Sequence, residues 1–324
     1  MAITSVGSWL PTIDEFLAHW TAVDADLNAG GGTDLELIGG YVRADLVTDR
    51  ASVDTGVGDV QTVDNTLQTA RGTRDVLRVS MRERFLQFGP AVRGNLPNTR
   101  YIPAIPNVPV FQASAGVYRD FIDDMSSLWA DINTNTPAIV GFTPPLLLAG
   151  GYAHATFLTD GTTMSNAFAS VAGAENQATV AREQRDDVFD PVYERLKQYR
   201  QVVQGLFPKD HALYESLPRL TPPAGSTPKA VNASVVWDEE LSMAVVTYTA
   251  SDNPNLAEYE LRACFGDKYR TDEEQVIASN PPGVLVFQTD EGLVASGSQA
   301  FYRVYVKVTT GNEKGSKTVK VVRP

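Results

Sequence analysis

Three histidines, one cysteine and a large set of carboxylates carry whatever side-chain chemistry this chain can offer. His19 stands beside Trp20, His154 follows a Gly-Gly-Tyr-Ala run, and His211 lies in PKDHALYESLP. A zinc site needs several His or Cys ligands at short, regular spacing. No two of these histidines are spaced that way, so each reads as a surface or helix-end residue. Cys264 has no cysteine to pair with and reads as a small buried residue on a strand. Carboxylates recur at Asp120, Asp123 and Asp124, and again at Asp186, Asp187, Asp190 and Glu194. Loops that gathered such groups would bind Ca²⁺, but helical spacing puts them on a solvated face and no EF-hand spacing is present. Carboxylates are numerous enough for a glycosidase pair, yet nothing singles out two of them. Ser296–Gln299 reads SGSQ, which lacks the G-x-S-x-G elbow. The expectation is therefore no catalytic residue, no metal, no cofactor, and a protein that is not an enzyme.

Whatever positions these groups must come from a chain of 324 residues, long enough for two or three domains. Its formal net charge is −12. An acidic chain repels phosphate backbones, which argues against a nucleic-acid partner. The basic run KGSKTVK, Lys314 to Lys320, reads as a solvated edge strand. The first twenty residues lack a basic n-region and a long apolar stretch, so no signal peptide is expected. No window is apolar enough for a membrane span. A cytoplasmic location is the default, with a cell-surface or particle-associated location left open.

The run LELIGGY, Leu35 to Tyr41, returns as LLLAGGY, Leu146 to Tyr152. Laying residues 35–97 over 146–208 without a gap gives 20 identities in 63 positions. Chance would give about one in sixteen, so the pattern predicts a tandem duplication. A shorter amphipathic segment with one tryptophan precedes each copy, holding Trp20 and Trp129. Ile13, Phe16, Leu17, Trp20, Val23 and Leu27 make one helical stripe, with Thr12 and Glu15 as a capping box. After each Gly-Gly-Tyr the helical pattern continues for roughly fifty residues. A hairpin turning near Gly72 is the rival, but the second copy shows no Gly-Pro punctuation there, so one long helix per copy is favoured. Pro90 and Pro191 should kink or break these helices. Gly94 and Gly205, followed by Pro97 and Pro208, read as stops. The glycine pairs Gly39, Gly40 and Gly150, Gly151 permit positive φ, so with Tyr41 and Tyr152 they read as fixed elbows into the helices. They lack the spacing of a phosphate loop.

Arg71, Arg74 and Asp75 recur as Arg182, Arg185 and Asp186. If the long helices pack antiparallel, these six residues meet at mid-length as an ionic layer that fixes register. The competing reading is an ordinary set of surface charges.

Past the Pro-Gly-Ser-Thr segment Thr221–Pro228 the hydrophobic period changes from 3.6 to 2. Strand patterns cover Ala233–Asp238, Met243–Ser251, Ala257–Phe265, Gly283–Asp290, Ala300–Thr310 and Ser316–Val322. VVTYTASDNPNLAEYELRA resembles the B-to-C region of a fibronectin type III domain, and YRVYVKVTTGNEKGSKTVKV resembles its F-to-G hairpin. The resemblance covers roughly residues 223–324. It implies a β-sandwich, a tyrosine corner at Tyr302, and a spacer or adhesion role without chemistry of its own. Tyr248 stands where that family usually has a core tryptophan, which Trp237 could replace. With VAREQRDDVFDPVYERLKQY, Val180 to Tyr199, the domain order also resembles uncharacterised bacterial fibronectin type III domain-containing proteins.

The expected fold is multidomain, α then β. A duplicated long-helix bundle with pseudo-twofold symmetry precedes a fibronectin type III-like β-sandwich. The expected divisions are 1–110 and 111–220 for the two repeats, 221–229 for a linker, and 230–324 for the sandwich. The expected function is that of a structural or interaction protein that self-assembles into a filament, sheath or surface layer, with itself or another protein as partner. The alternative is a monomeric adaptor whose sandwich binds a carbohydrate or a protein, using Trp237, Tyr269 or Phe301 as an exposed platform.

Overall fold

The structure, a computed structural model, describes residues 2–222, 227–265 and 268–324. The expected linker 221–229 lies partly outside the described residues.

Four helices carry the N-terminal part: α1 (Trp9–Ala29), α2 (Arg43–Asn95), α3 (Ala115–Thr134) and α4 (His154–Leu206). A single turn, α5 (Ala212–Glu215), follows. Helices α2 and α4 each run 53 residues without interruption, about 80 Å at about 1.5 Å per residue. There is no hairpin at Gly72. Pro90 and Pro191 sit inside the helices and do not end them. Both prolines are on the solvent side, so the carbonyl that each leaves without an N–H partner faces water. Helix α1 starts at Trp9, ahead of the expected cap at Thr12, which is itself buried. Pro11 falls in the first turn, where a proline costs no hydrogen bond.

The long helices lie antiparallel. Phe85 meets Phe157 at one end with ring centroids 6.3 Å apart. Leu67 joins Val171, Ala174 and Ala178 at the centre, and Leu46 and Val53 join Phe189, Val192 and Leu196 at the other end. Helix α1 completes one terminal cluster through Phe16, Trp20 and Val23, and α3 completes the other through Tyr118, Met125 and Trp129. The approach of α3 is close enough that a Cβ at Gly161 would stand 2.9 Å from Ile122. The middle of the pair is held by small residues and a thinner apolar cluster.

The C-terminal part is an antiparallel β-sandwich. One sheet is β1 (Ala233–Asp238), β2 (Met243–Tyr248) and β5 (Val286–Thr289), in that order. The other runs β4 (Gln275–Asn280), β3 (Leu256–Cys264), β6 (Gln299–Val308), with β7 (Glu313–Gly315) and β8 (Val319–Val322) both pairing with β6. Alternation along β6 sends Tyr302, Val304 and Val306 into the core and Arg303 and Lys307 outward. The sequence pattern did not mark β4, QVIASN, whose Val276 and Ile277 are adjacent and do not alternate, or β7, three residues with no large apolar side chain. Cys264 is buried at the end of β3.

The sandwich touches the helical part at a few points. Thr4 Oγ1 donates to the Gly311 carbonyl at 2.7 Å, Arg71 reaches Glu273, and Phe111 lies so near Gly297 that an added Cβ would be 3.0 Å away.

Candidate functional site

The two elbows have the same internal construction. Gly39 and Gly40 have φ of 88° and 77°, and Gly150 and Gly151 have 75° and 74°, values that strain any residue with a Cβ. The Leu37 N–H donates to the Tyr41 carbonyl at 2.8 Å, and the Leu148 N–H to the Tyr152 carbonyl at 2.9 Å. The chain thus doubles back over two glycines, which aims each tyrosine at the first turns of the following helix. Tyr41 donates to Asp49 and Tyr152 to Asp160, each at 2.5 Å. Both tyrosines stand just before their helices and not within the first turn. Burial, then the hydrogen bond to the neighbouring carboxylate, raises the pKa of Tyr41 and of Tyr152 well above the ordinary value. Their hydroxyls therefore stay protonated and donating.

Each elbow is closed by an arginine from the opposite half, which the sequence reading did not single out. Arg195 covers the Tyr41 ring at 4.8 Å and donates to the Ile38 carbonyl at 3.1 Å. Arg84 covers the Tyr152 ring at 4.5 Å and donates to the Ala149 carbonyl at 3.5 Å. Their signal was present, since Arg84 and Arg195 are identical under the 111-residue offset. What a single sequence could not show is that each serves the other copy's elbow.

At mid-length the six expected layer residues divide. Arg71 crosses from α2 to Glu175 on α4 at 2.8 Å, and Arg182 crosses back to Asp64 on α2. Arg74 and Arg185 do not cross. They pair with their own neighbours, Asp75 at 2.8 Å and Asp186 at 2.7 Å. The side chain of Asp186 is 61% exposed, so that pair lies on the surface. The expected layer is corrected accordingly: its crossing carboxylates are Asp64 and Glu175, because an arginine needs a carboxylate at the matching height of the opposite helix. Arg71 also takes Glu273 from the sandwich at 3.1 Å, and both side chains are almost wholly buried. Burial alone lowers the Arg71 pKa, but the hydrogen bonds it donates to Glu175 and Glu273 outweigh it and raise it. Burial raises the Asp64 pKa despite the opposing charge of Arg182.

The histidines stay apart. His19 is buried, contrary to the expected surface position. Its Nδ1 lies 2.6 Å from the Tyr199 hydroxyl and its Nε2 lies 2.8 Å from the Leu213 carbonyl. The carbonyl can only accept, so Nε2 carries the proton and Nδ1 accepts from Tyr199 in the neutral ring. Burial lowers the His19 pKa, partly offset by the Leu213 carbonyl. His154 opens α4, with Nε2 2.8 Å from Ser126 Oγ. His211 caps α5 and stacks on Phe207 at 4.6 Å. Both acidic clusters are exposed. Among the described residues no group of His, Cys, Asp and Glu side chains is placed to hold a metal ion, and no helix is long and apolar enough to cross a membrane.

Between the outer face of the β4-β3-β6 sheet and the waist of the helices lies a cleft of about 790 Å³, lined by Asp64, Arg185, Glu260, Arg262, Glu274 and Tyr305 among others. Arg262 holds Glu260, Glu274 and Glu313 together and lies 3.9 Å from the centre of the Tyr305 ring. The polar groups of this wall are thereby turned to one another. Tyr302 donates to the Glu291 carbonyl at 3.0 Å, a bond back to the chain ahead of its strand. Tyr248 stacks on Phe287 at 5.3 Å in the sandwich core, and Trp237 packs partly buried beside them. The expected aromatic platform is not exposed: Trp237, Tyr269 and Phe301 are each half-buried beneath Arg323, Arg303 and Lys320.

No protein-family model and no curated protein sequence matches the chain. Solved structures do match in part. A fibronectin type III-like protein from Clostridium thermocellum is 19% identical over 32% of this chain and 96% of its own, with a TM-score of 0.23. A pectate lyase from Erwinia chrysanthemi, in complex with tetragalacturonic acid, is 15% identical over 28% of each chain, with a TM-score of 0.25. A pectate lyase from Pectobacterium carotovorum is 10% identical over 28% of this chain and 27% of its own, also at 0.25. The chain thus spans about a quarter of the length of these lyases. Enzymes stand among these partial matches, and the expectation that the chain is not an enzyme is not kept. It rested on missing sequence motifs, and groups brought together only in space leave no motif.

Proposed function

We propose that this chain is a structural or interaction protein whose helical body arose by duplication, has pseudo-twofold symmetry and self-associates into a larger assembly such as a filament, sheath or surface layer. One observation carries the reading. Contacts between the halves are reciprocal: Arg84 serves Tyr152 as Arg195 serves Tyr41, and Arg71 reaches Glu175 as Arg182 reaches Asp64. Reciprocal contact of residue i with j and j with i is how identical subunits meet. The body is then a linked dimer of a unit that already recognises itself, and further copies extend the same habit.

Light scattering coupled to size-exclusion chromatography, run over a hundredfold range of concentration, tests this. Species at multiples of the 35.1 kDa chain mass are expected, growing with concentration. A mass fixed at that of one chain throughout sinks the proposal.

A further inference from the structure

The sandwich and the helical body share no apolar core. Every buried apolar cluster among the described residues lies wholly on one side or the other, three of them within residues 3–220 and one within residues 231–321. Where a packed interface would place side chains there is the cleft of about 790 Å³. The two parts meet instead through Arg71 and Glu273, through Thr4 and the Gly311 carbonyl, and where Phe111 lies against Gly297. Domains joined without a large hydrophobic interface are free to move relative to one another.

The buried contact between Arg71 and Glu273 is built so that parting leaves neither side alone. Arg71 keeps Glu175 on α4 at 2.8 Å, and the Glu175 side chain is 42% exposed. Glu273 keeps Arg270 at 2.9 Å, and the Arg270 side chain is 44% exposed. Each retained pair thus already has one partner in water. Breaking a buried ion pair is costly chiefly because it leaves a charge without compensation, and here both charges stay compensated. The helical layer is also complete by its own symmetry. Arg71 with Glu175 is matched by Arg182 with Asp64 under the 111-residue offset, and Glu273 stands outside that pattern. Docking adds a repulsion as well: burial raises the Asp64 pKa, and the charge of Glu273 adds to the rise. We propose that the sandwich is a latched arm, held over the waist by Glu273 seated on Arg71 and able to part from it with no buried charge left unpaired on either side. Release turns both walls of the cleft into open surface, Asp64 on the waist and the Arg262 cluster with Tyr305 on the sheet. A single chain can open in this way, so the proposal stands apart from self-association.

Distances between two spin labels on the full chain test this. The labels go on introduced cysteines, Val76→Cys on α2 and Val236→Cys on β1, both exposed positions, while Cys264 is buried. In this labelled parent, Glu273→Arg sets a second cation against Arg71, and Glu273→Gln removes the charge while keeping the shape. The expected result is a longer-distance population at least tenfold greater in Glu273→Arg than in the parent, with Glu273→Gln between them. Lys197→Ala, which removes a surface ion pair on α4, should leave the parent distribution unchanged. If both Glu273 variants keep the parent distribution, Glu273 is no latch and the proposal falls. Loss of helical circular dichroism in either variant overturns it too, because the charges of the helical body are paired without the sandwich.

Discussion

At one end of the helical body His19 touches both Tyr199 and the carbonyl of Leu213. At the other end Leu128 stands beside Trp129 as His19 stands beside Trp20, and Phe88 takes the place of Tyr199 under the 111-residue offset. Leu128 and Phe88 are buried in one apolar cluster. The polar end is the one that receives the segment leading toward the sandwich, through α5 and Leu213. A second difference lies at mid-length, where Arg71 has a carboxylate from the sandwich in addition to its partner on α4. The halves therefore match where they touch each other. They depart from one another where the C-terminal third leans on them.

Breaking the mid-length match should have the largest effect. Arg71→Met takes the buried guanidinium from Glu273, which stands beside Asp64 and keeps the part-exposed Arg270; loss of one partner from a buried pair costs up to about 3–5 kcal/mol. Arg182→Met strands Asp64, whose side chain is 18% exposed and so keeps some water. Its cost should be smaller. Urea denaturation of the two variants checks the order, and equal costs would mean that the sandwich contributes nothing to the layer. Pairing Arg71→Met with Glu273→Gln should recover part of the loss, because the two residues share one interaction.

Acid should distinguish the two ends. The folded state holds His19 at a lowered pKa, while the unfolded chain takes up the proton near the ordinary value of about 6.5. Below that value the unfolded state binds more protons, so this contribution is fully present above about pH 6.5 and is lost as pH falls toward the folded value. Tyr199→Phe leaves His19 Nδ1 buried without its donor, at a cost of about 1–3 kcal/mol at neutral pH. His19→Leu together with Tyr199→Phe copies the apolar end, and should cost less than the sum of the two single changes. The double variant should also lose the acid-dependent part contributed by His19. Thermal melts between pH 5 and 8 report both results. An unchanged pH slope in the double variant would remove His19 as the cause.

The smallest effects belong to the elbows. Tyr41→Phe and Tyr152→Phe each delete one hydroxyl-to-carboxylate bond, which should cost about 1 kcal/mol apiece. Chemical denaturation should find the two values within a few tenths of each other if the elbows are equivalent in energy as well as in geometry. A difference larger than the single-site cost would show that one elbow is doing something the other is not.

Much of this fold was legible in the sequence, for physical reasons that differ by element. The long helices could be read because apolar residues keep their period across the polar middle and AENQATVAREQRDD carries neither Gly nor Pro. The elbows could be read because two consecutive glycines before a tyrosine have few other uses. The prolines do not end their helices, since the cost of a proline depends on whether its freed carbonyl meets water, and one strand of text does not say which side it faces. The burial of His19 had a visible sign: it lies three residues after Phe16 and four before Val23, within the apolar stripe. The partner of Arg71 had none. Glu273 lies 202 residues away in the β-sandwich, and only docking of that domain brings the two together.

The uninterrupted length of α2 and α4 sets a limit on how this molecule can change. Deleting one residue from the middle of α2 would turn everything beyond it by about 100° and draw it back by about 1.5 Å. One elbow arginine would then miss its tyrosine while the other kept it. A compensating deletion in α4 would have to fall at the matching height. The two helices behave as the rails of a ladder, whose rungs stay level only if both rails are cut together, so their shared length is the dimension this protein is least able to alter one step at a time.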